Sequence, residues 1–151
     1  MHTRTVACAA LMFIGLLGTT PGGFALSPAQ ASPAASAPLS YDFFKTDVQP
    51  IFLKKRPGHA RCIACHGQGT PLRLQPLAPG RTTWTEEESR KNFQAIQRVV
   101  APGDLNSRLL LHLLEEKAGG DFYHNGGKHF TSQNDPEWLT LKAWVIGQAA
   151  K

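Results

Sequence analysis

Apolar residues recur every three or four positions along most of the chain after residue 40, the spacing that places them on one side of an α-helix. Four segments carry this pattern. The sequence predicts helices over residues 41–55, from 85 to the Pro-Gly pair at 102–103, from 104 or 106 to 117, and from 135 onward. No stretch shows the strict alternation of apolar and polar residues that is typical of a strand. The predicted fold class is therefore all-α, a small domain of about four helices.

Local capping signals support two of these helices. Thr85 followed by Glu88 is a capping-box pattern, and Asp135 followed by Pro136 combines a favoured N-cap with a favoured first helical residue. Pro50 falls inside the first predicted helix, where its ring and missing N–H should interrupt or kink the backbone.

The first part of the chain has the pattern of a secretory signal peptide: a short positive start, an apolar run over residues 6–17 and Ala-Gln-Ala at 29–31. We predict a signal peptide over 1–31, a linker rich in Ser, Pro and Ala over 32–40, and one folded domain over 41–151. This predicts a periplasmic or secreted protein with no transmembrane segment after cleavage. An uncleaved N-terminal anchor is the alternative.

Composition and net charge are consistent with one folded domain and do not alter the predicted fold class. A hydrophobic content of 42% in 151 residues is ordinary for a globular domain and argues against wholesale disorder. The formal net charge of +5 is mild and spread along the chain. It is therefore interpreted as surface electrostatics, and no nucleic-acid partner is predicted.

The cysteines carry the chemical signal. Once Cys8 is removed with the signal peptide, only Cys62 and Cys65 remain, and a disulfide between them would close almost no loop. They belong to the sequence Cys62-Ile-Ala-Cys65-His66. Two cysteines at this spacing can form thioether bonds with both vinyl groups of one haem, and the histidine that follows can ligate the iron.

Two other sites use a similar cysteine pair. A thioredoxin-like dithiol requires a βαβ setting, which the helical pattern does not provide. A structural zinc site would have to recruit histidines, because the chain has no second cysteine pair. The predicted cofactor is one covalently bound haem c.

Beyond this motif, the chain resembles the monohaem cytochrome c family, specifically the secreted bacterial cytochrome c-like domains, over about residues 42–147. The resemblance rests on the segments 47–52, 62–66, 102–110 and 138–145. It implies a cytochrome c-like fold in which the first and last helices cross beside the haem, and electron transfer by the iron. It also implies that Cys62 and Cys65 attach the haem and that His66 is the proximal ligand.

The distal ligand departs from the family. A methionine usually precedes the last helix, but the only methionines here are Met1 and Met12, in the signal segment. The corresponding glycine-rich segment contains His124 and His129. His124 is the first choice for the distal ligand, with His129 and His112 as alternatives.

Two imidazole ligands leave no vacant position for a substrate. We therefore predict a one-electron carrier and not an enzyme. A five-coordinate haem protein that binds a gas or reduces peroxide is the alternative, and a subunit of a larger exported oxidoreductase is a third possibility. The expected partners are redox proteins. Basic residues near the motif could steer an acidic redox partner, or could simply form a solvated basic turn: Lys54, Lys55, Arg56 and Arg61.

Overall fold

The computed structural model describes residues 37–148, and every regular element within that range is helical. The α-helices are α1 (Tyr41–Phe43), α2 (Gln49–Leu53), α3 (Cys62–His66), α4 (Glu86–Gln97), α5 (Arg108–Leu111) and α6 (Pro136–Val145). A π-helical turn (Phe44–Val48) joins α1 to α2, and a 3-10 turn (Glu116–Ala118) follows α5. The prediction of an all-α fold is confirmed for these residues.

The predicted signal peptide and most of the predicted linker lie outside the described residues. Among the helices at 37–148, none is both long enough and apolar enough to cross a membrane.

The first predicted helix is confirmed in position, but it contains a wide turn and ends at Leu53 rather than at residue 55. The N–H of Gln49 donates to the carbonyl of Phe44, five residues back, which is the π-helical pattern. Pro50 explains the wide turn. It has no N–H to donate, and in a regular helix its ring would meet the carbonyl of Thr46. The chain thus stays helical through the proline by widening one turn.

Both capping predictions are confirmed. Thr85 Oγ1 accepts from the N–H of Glu88 at 3.1 Å, and the Glu88 carboxylate accepts from the N–H of Thr85 at 2.7 Å. Asp135 accepts from the N–H groups of Glu137 and Trp138 at 2.9 and 3.3 Å. These contacts satisfy backbone donors that the first turn of a helix leaves free.

The third predicted helix is wrong over most of its length. The α-helix α5 covers only Arg108–Leu111, and the chain then leaves the helical path. The N–H of Glu115 donates to the carbonyl of Phe130 at 2.8 Å, and the N–H of Phe130 donates to the carbonyl of Leu113 at 3.0 Å. These bonds to a distant segment replace helical ones, and Leu113 and Leu114 are buried without continuing the helix.

The three tryptophans belong to the core. Trp84, Trp138 and Trp144 are at most 4% exposed, and each indole N–H donates to a backbone carbonyl. The ring of Trp144 in α6 lies 5.8 Å from that of Phe44, so the last helix packs on the first helical segment. This packing leaves α3 beside a pocket.

Candidate functional site

A pocket of about 270 Å³ lies beside α3 and is lined mainly by apolar side chains. The apolar residues include Phe52, Leu72, Val99, Leu109 and Leu113. Both cysteines of the motif and four histidines line the same pocket: Cys62, Cys65, His66, His112, His124 and His129. The structure therefore brings all the sequence-predicted site residues together.

The Cys62–His66 segment forms the short helix α3, which sequence reasoning had left without an assigned element. Residues three apart on a helix share a face, so Cys62 and Cys65 are presented on the same side. Both are free cysteines; Cys62 is half-buried and Cys65 is exposed. The two thiols are therefore placed to react with two neighbouring groups on one ligand.

The electrostatics of Cys62 oppose the thioredoxin-like alternative. Burial raises the pKa of this thiol above its ordinary value of 9.0, with only partial compensation by the charge of Arg56. Reactive dithiols depend on a lowered pKa. Within residues 37–148, no three or more His, Cys, Asp or Glu side chains are grouped so that they could hold a metal ion.

The His66 ring is held by its Nδ1 atom, which lies 2.8 Å from the carbonyl oxygen of Leu72 and 2.8 Å from Thr70 Oγ1. A carbonyl oxygen can only accept, so Nδ1 carries the hydrogen and Nε2 keeps its lone pair. The Thr70 hydroxyl donates to the same carbonyl at 2.5 Å. Metal-ligating histidines use this arrangement, in which one ring N–H is tied and the other nitrogen is free to bind.

His124 repeats this arrangement on the opposite side. Its Nδ1–H donates to the carbonyl of Gly127 at 2.7 Å, which leaves its Nε2 with a lone pair. Burial lowers the pKa of His124 below its ordinary value, which favours the neutral form that binds metals. The glycine at 126 admits the ring closely, since a Cβ there would lie 3.1 Å from His124 Cε1.

The rings of His66 and His124 have their centres 6.2 Å apart, with planes inclined by only 16°. Metal–imidazole bonds are about 2.0 Å long and a ring centre lies about 1.1 Å beyond the bonding nitrogen, so two imidazoles on opposite sides of one metal have centres about 6.2 Å apart. The separation of this pair equals that value, and so, within 0.1 Å, does the 6.1 Å between the rings of His124 and His129, so distance by itself does not select the pair. What distinguishes His66 and His124 is that both rings have Nδ1 tied to a carbonyl oxygen.

His112 has both nitrogens occupied. Its Nδ1–H donates to the Asp121 carboxylate at 2.5 Å, and Arg108 Nη2 lies 3.4 Å from its Nε2. Burial alone would raise the pKa of Asp121, but hydrogen bonds from His112 and Lys128 hold it below its ordinary value. Lys128 also donates to the Asp121 carbonyl at 2.5 Å. His112 and Lys128 thus belong to a hydrogen-bonded network.

His129 also lines the pocket, but it differs from His124 in its hydrogen bonding. Its Nδ1 is buried and has no hydrogen-bond partner among the described residues. Burial, followed by the neighbouring charges of His59 and Arg56, lowers the pKa of His129 to about 4. The ring of His59 packs on it at 4.7 Å and lies outside the lining of the pocket. His129 is therefore neutral, but nothing fixes its ring as Gly127 fixes His124.

Other residues near the motif differ in whether they line the pocket. Leu72 lines the pocket, whereas Leu74 is buried in the core and does not line it. Of the basic cluster, only Arg61 lines the pocket. Lys54 and Arg56 pair with Glu137, and Lys55 donates to the carbonyl of His59.

Sequence reasoning missed several residues of the site. Thr70 and Arg108 contact histidines, and Tyr123 lines the pocket. The available signals were weak: Thr70 lies four residues after His66, and Arg108 lies four residues before His112.

Comparisons with known proteins do not assign the chain. A scan of family models and searches of curated proteins and of solved structures found no match.

Proposed function

We propose that this chain is an extracytoplasmic one-electron carrier with a cytochrome c-like fold and one covalently bound haem c. Cys62 and Cys65 would hold the haem by thioether bonds, with His66 and His124 as its axial ligands. The observation that carries this proposal is the pair of near-parallel rings, 6.2 Å apart, each with Nδ1–H tied to a carbonyl.

The pocket suits a flat apolar macrocycle. Its walls are mainly apolar, which limits water near the cofactor, and its two free cysteines lie on one face of α3. When bound, the haem supplies the one-electron couple of its iron. The chain's own contribution is to hold His66 and His124 in fixed tautomers, and replacing a methionine by imidazole favours a lower reduction potential.

A second candidate is a haem protein with an open distal position that binds a gas or reduces peroxide. The observation that favours it is the network of His112, Asp121 and Arg108 at the pocket wall. A histidine oriented by a carboxylate can move a proton, and a guanidinium can stabilise negative charge. This candidate requires that His124 not occupy the distal position.

The test is to produce the whole chain in a bacterial host that attaches c-type haem. We expect the mass of one haem on the polypeptide, pigment retained through acid-acetone extraction, and a six-coordinate low-spin spectrum. Pigment that is fully extracted, or no pigment, would refute the carrier. High-spin ferrous protein that readily binds carbon monoxide would favour the second candidate. A Cys62→Ala/Cys65→Ala variant is the control for covalent attachment.

A further inference from the structure

Two guanidinium groups line the pocket without a carboxylate partner. Arg61 and Arg108 are its only charged residues other than histidines, and no Asp or Glu lines it. Three nearby cations are paired with carboxylates, Lys54 and Arg56 with Glu137 and Lys128 with Asp121, while Lys55 donates to a backbone carbonyl. Among the described residues, neither Arg61 nor Arg108 forms an ion pair with an acidic side chain.

Arg108 is the better positioned of the two. Its Nη2 contacts His112 Nε2 at 3.4 Å, and His112 is held in turn by Asp121 at 2.5 Å. The Arg108 side chain is otherwise exposed, and this contact with His112 is its one side-chain hydrogen bond among the described residues. A guanidinium has five N–H donors, and the contact with His112 uses one of them. The group therefore retains donors for a ligand.

We propose that Arg108 binds a propionate carboxylate of the haem; this inference rests on the proposed function. Guanidinium groups bind carboxylates through two parallel hydrogen bonds, and a pocket with cations and no anions favours such a ligand. The ligand class is the carboxylate. The propionates are its source in the proposed complex, and an acidic group of a partner protein is the competing source.

The two arginines differ in their position relative to the cysteines that would attach the haem. Arg61 is bonded directly to Cys62 and so stays beside the thioether edge of the haem. The propionates lie on the edge opposite the vinyl groups that form the thioethers. Arg108 belongs to α5, a different element, and is free of that constraint. Arg61 is thus a matched control, a guanidinium in the same pocket with a different predicted role.

A cation paired with a propionate favours the reduced haem, because reduction removes one positive charge from the iron. Its removal should therefore lower the midpoint potential. Since Asp121 and His112 hold Arg108, the effect should depend on the planar guanidinium as well as on charge.

The experiment uses the haem-loaded protein and its Arg108→Gln, Arg108→Lys and Arg61→Gln variants. Resonance Raman spectra report the propionate bending bands, and potentiometry gives the midpoint potential. We expect Arg108→Gln to shift a propionate band and lower the potential more than Arg61→Gln does. Arg108→Lys should recover part of the potential while the band stays shifted.

Unchanged propionate bands in Arg108→Gln, with equal potential shifts in both glutamine variants, would overturn the inference. So would an effect of Arg108→Gln confined to the rate of oxidation by the anion ferricyanide, which would assign the guanidinium to an external partner. Either result leaves covalent haem in place and the carrier intact. A wild-type protein without covalent haem would instead refute the proposed function, and this inference with it.

Discussion

The two walls of the pocket present a histidine in the same way but are built differently. The attachment wall (residues 62–72) holds both cysteines and His66, and the ring is fixed by a carbonyl of the same short segment. The loop wall (residues 119–130) also fixes His124 through a nearby carbonyl. Its position, however, depends on backbone bonds from residues 129 and 130 to Leu113 and on the contact of Lys128 with Asp121.

This difference explains why the sequence predicted one proposed ligand, His66, directly and left three candidates for the other. On the attachment wall, five consecutive residues carry the chemistry, and local structure is enough to place them. On the loop wall, two histidines lie within six residues of each other, and a third, His112, approaches from α5. Which of their rings lies near and parallel to that of His66 depends on contacts between distant segments. The following predictions test whether the loop wall depends on distant contacts in this way.

The largest expected effect is the loss of the distal ligand in His124→Ala. We expect the six-coordinate low-spin spectrum to be replaced by a high-spin spectrum, with carbon monoxide binding to the ferrous protein, because the ring opposite His66 is removed. Optical and magnetic-resonance spectra check it. His112→Ala and His129→Ala are the matched controls and should remain low-spin. An unaltered spectrum in His124→Ala would show that another residue is the ligand.

The next prediction concerns the start of the loop wall. A Cβ added at Gly120 would lie 1.9 Å from the carbonyl oxygen of Leu114 and 2.5 Å from its carbon, both backbone atoms. Gly120→Ala should therefore lower the free energy of unfolding by about 3 kcal/mol or more. Urea unfolding of the haem-loaded protein measures this.

Gly80→Ala is the control for that substitution. Gly80 has a φ of +78° but open space around a Cβ, so only backbone strain is added, at a cost of about 1 kcal/mol. Equal losses of stability in the two variants would mean that the close approach at Gly120 does not constrain the loop wall.

Glu137 provides a third test. It pairs with Lys54 and Arg56, and the Arg56 guanidinium lies 5.4 Å from the ring centre of Phe130, at the end of the loop wall. Glu137→Gln leaves the largely buried Arg56 without its anion, which should cost about 2 kcal/mol. The exposed Glu87, which pairs with Lys91, is the control, and Glu87→Gln should cost about 0.5 kcal/mol or less.

The effect of Glu137→Gln should depend on pH. The pKa of Glu137 lies below its ordinary value of 4.5. Burial acts to raise this pKa, but the hydrogen bonds from Lys54 and Arg56 lower it by more. The unfolded chain therefore binds a proton at a higher pH than the folded one does. The ionic stabilisation is fully present above pH 4.5 and is lost as the pH falls through the lowered value. A stability difference that stays constant down to the lowest pH would contradict this.

The smallest expected effect belongs to a contact that can be predicted from local sequence. Thr85→Ala removes the capping hydroxyl of α4 and should cost about 1 kcal/mol of stability, with the spectrum of the haem unchanged. Thr85→Ser keeps the hydroxyl and is the control. A spectral change in Thr85→Ala would show that α4 and the pocket are coupled more closely than their separation in the chain suggests.

Local chemistry accounts for what could be predicted of the fold. The caps at Thr85 and Asp135 act over two or three residues and were correct. Pro50 was correctly predicted to disturb its helix, although the π-helical form of the disturbance depends on how the neighbouring turns pack. The helix predicted to reach residue 117 was wrong, because periodicity cannot reveal that Phe130 would compete for the backbone groups of residues 113–115.

The sequence by itself determined the caps, the all-helical character of residues 37–148 and the Cys62–His66 motif, because each depends on residues that are neighbours in the chain. Only the tertiary structure decided that the rings of His124 and His66 lie 6.2 Å apart and nearly parallel, that His112 is bound to Asp121, and that Arg108 lines the pocket. These relations join segments up to about sixty residues apart, and they arise when burial of the core fixes the path of the intervening chain.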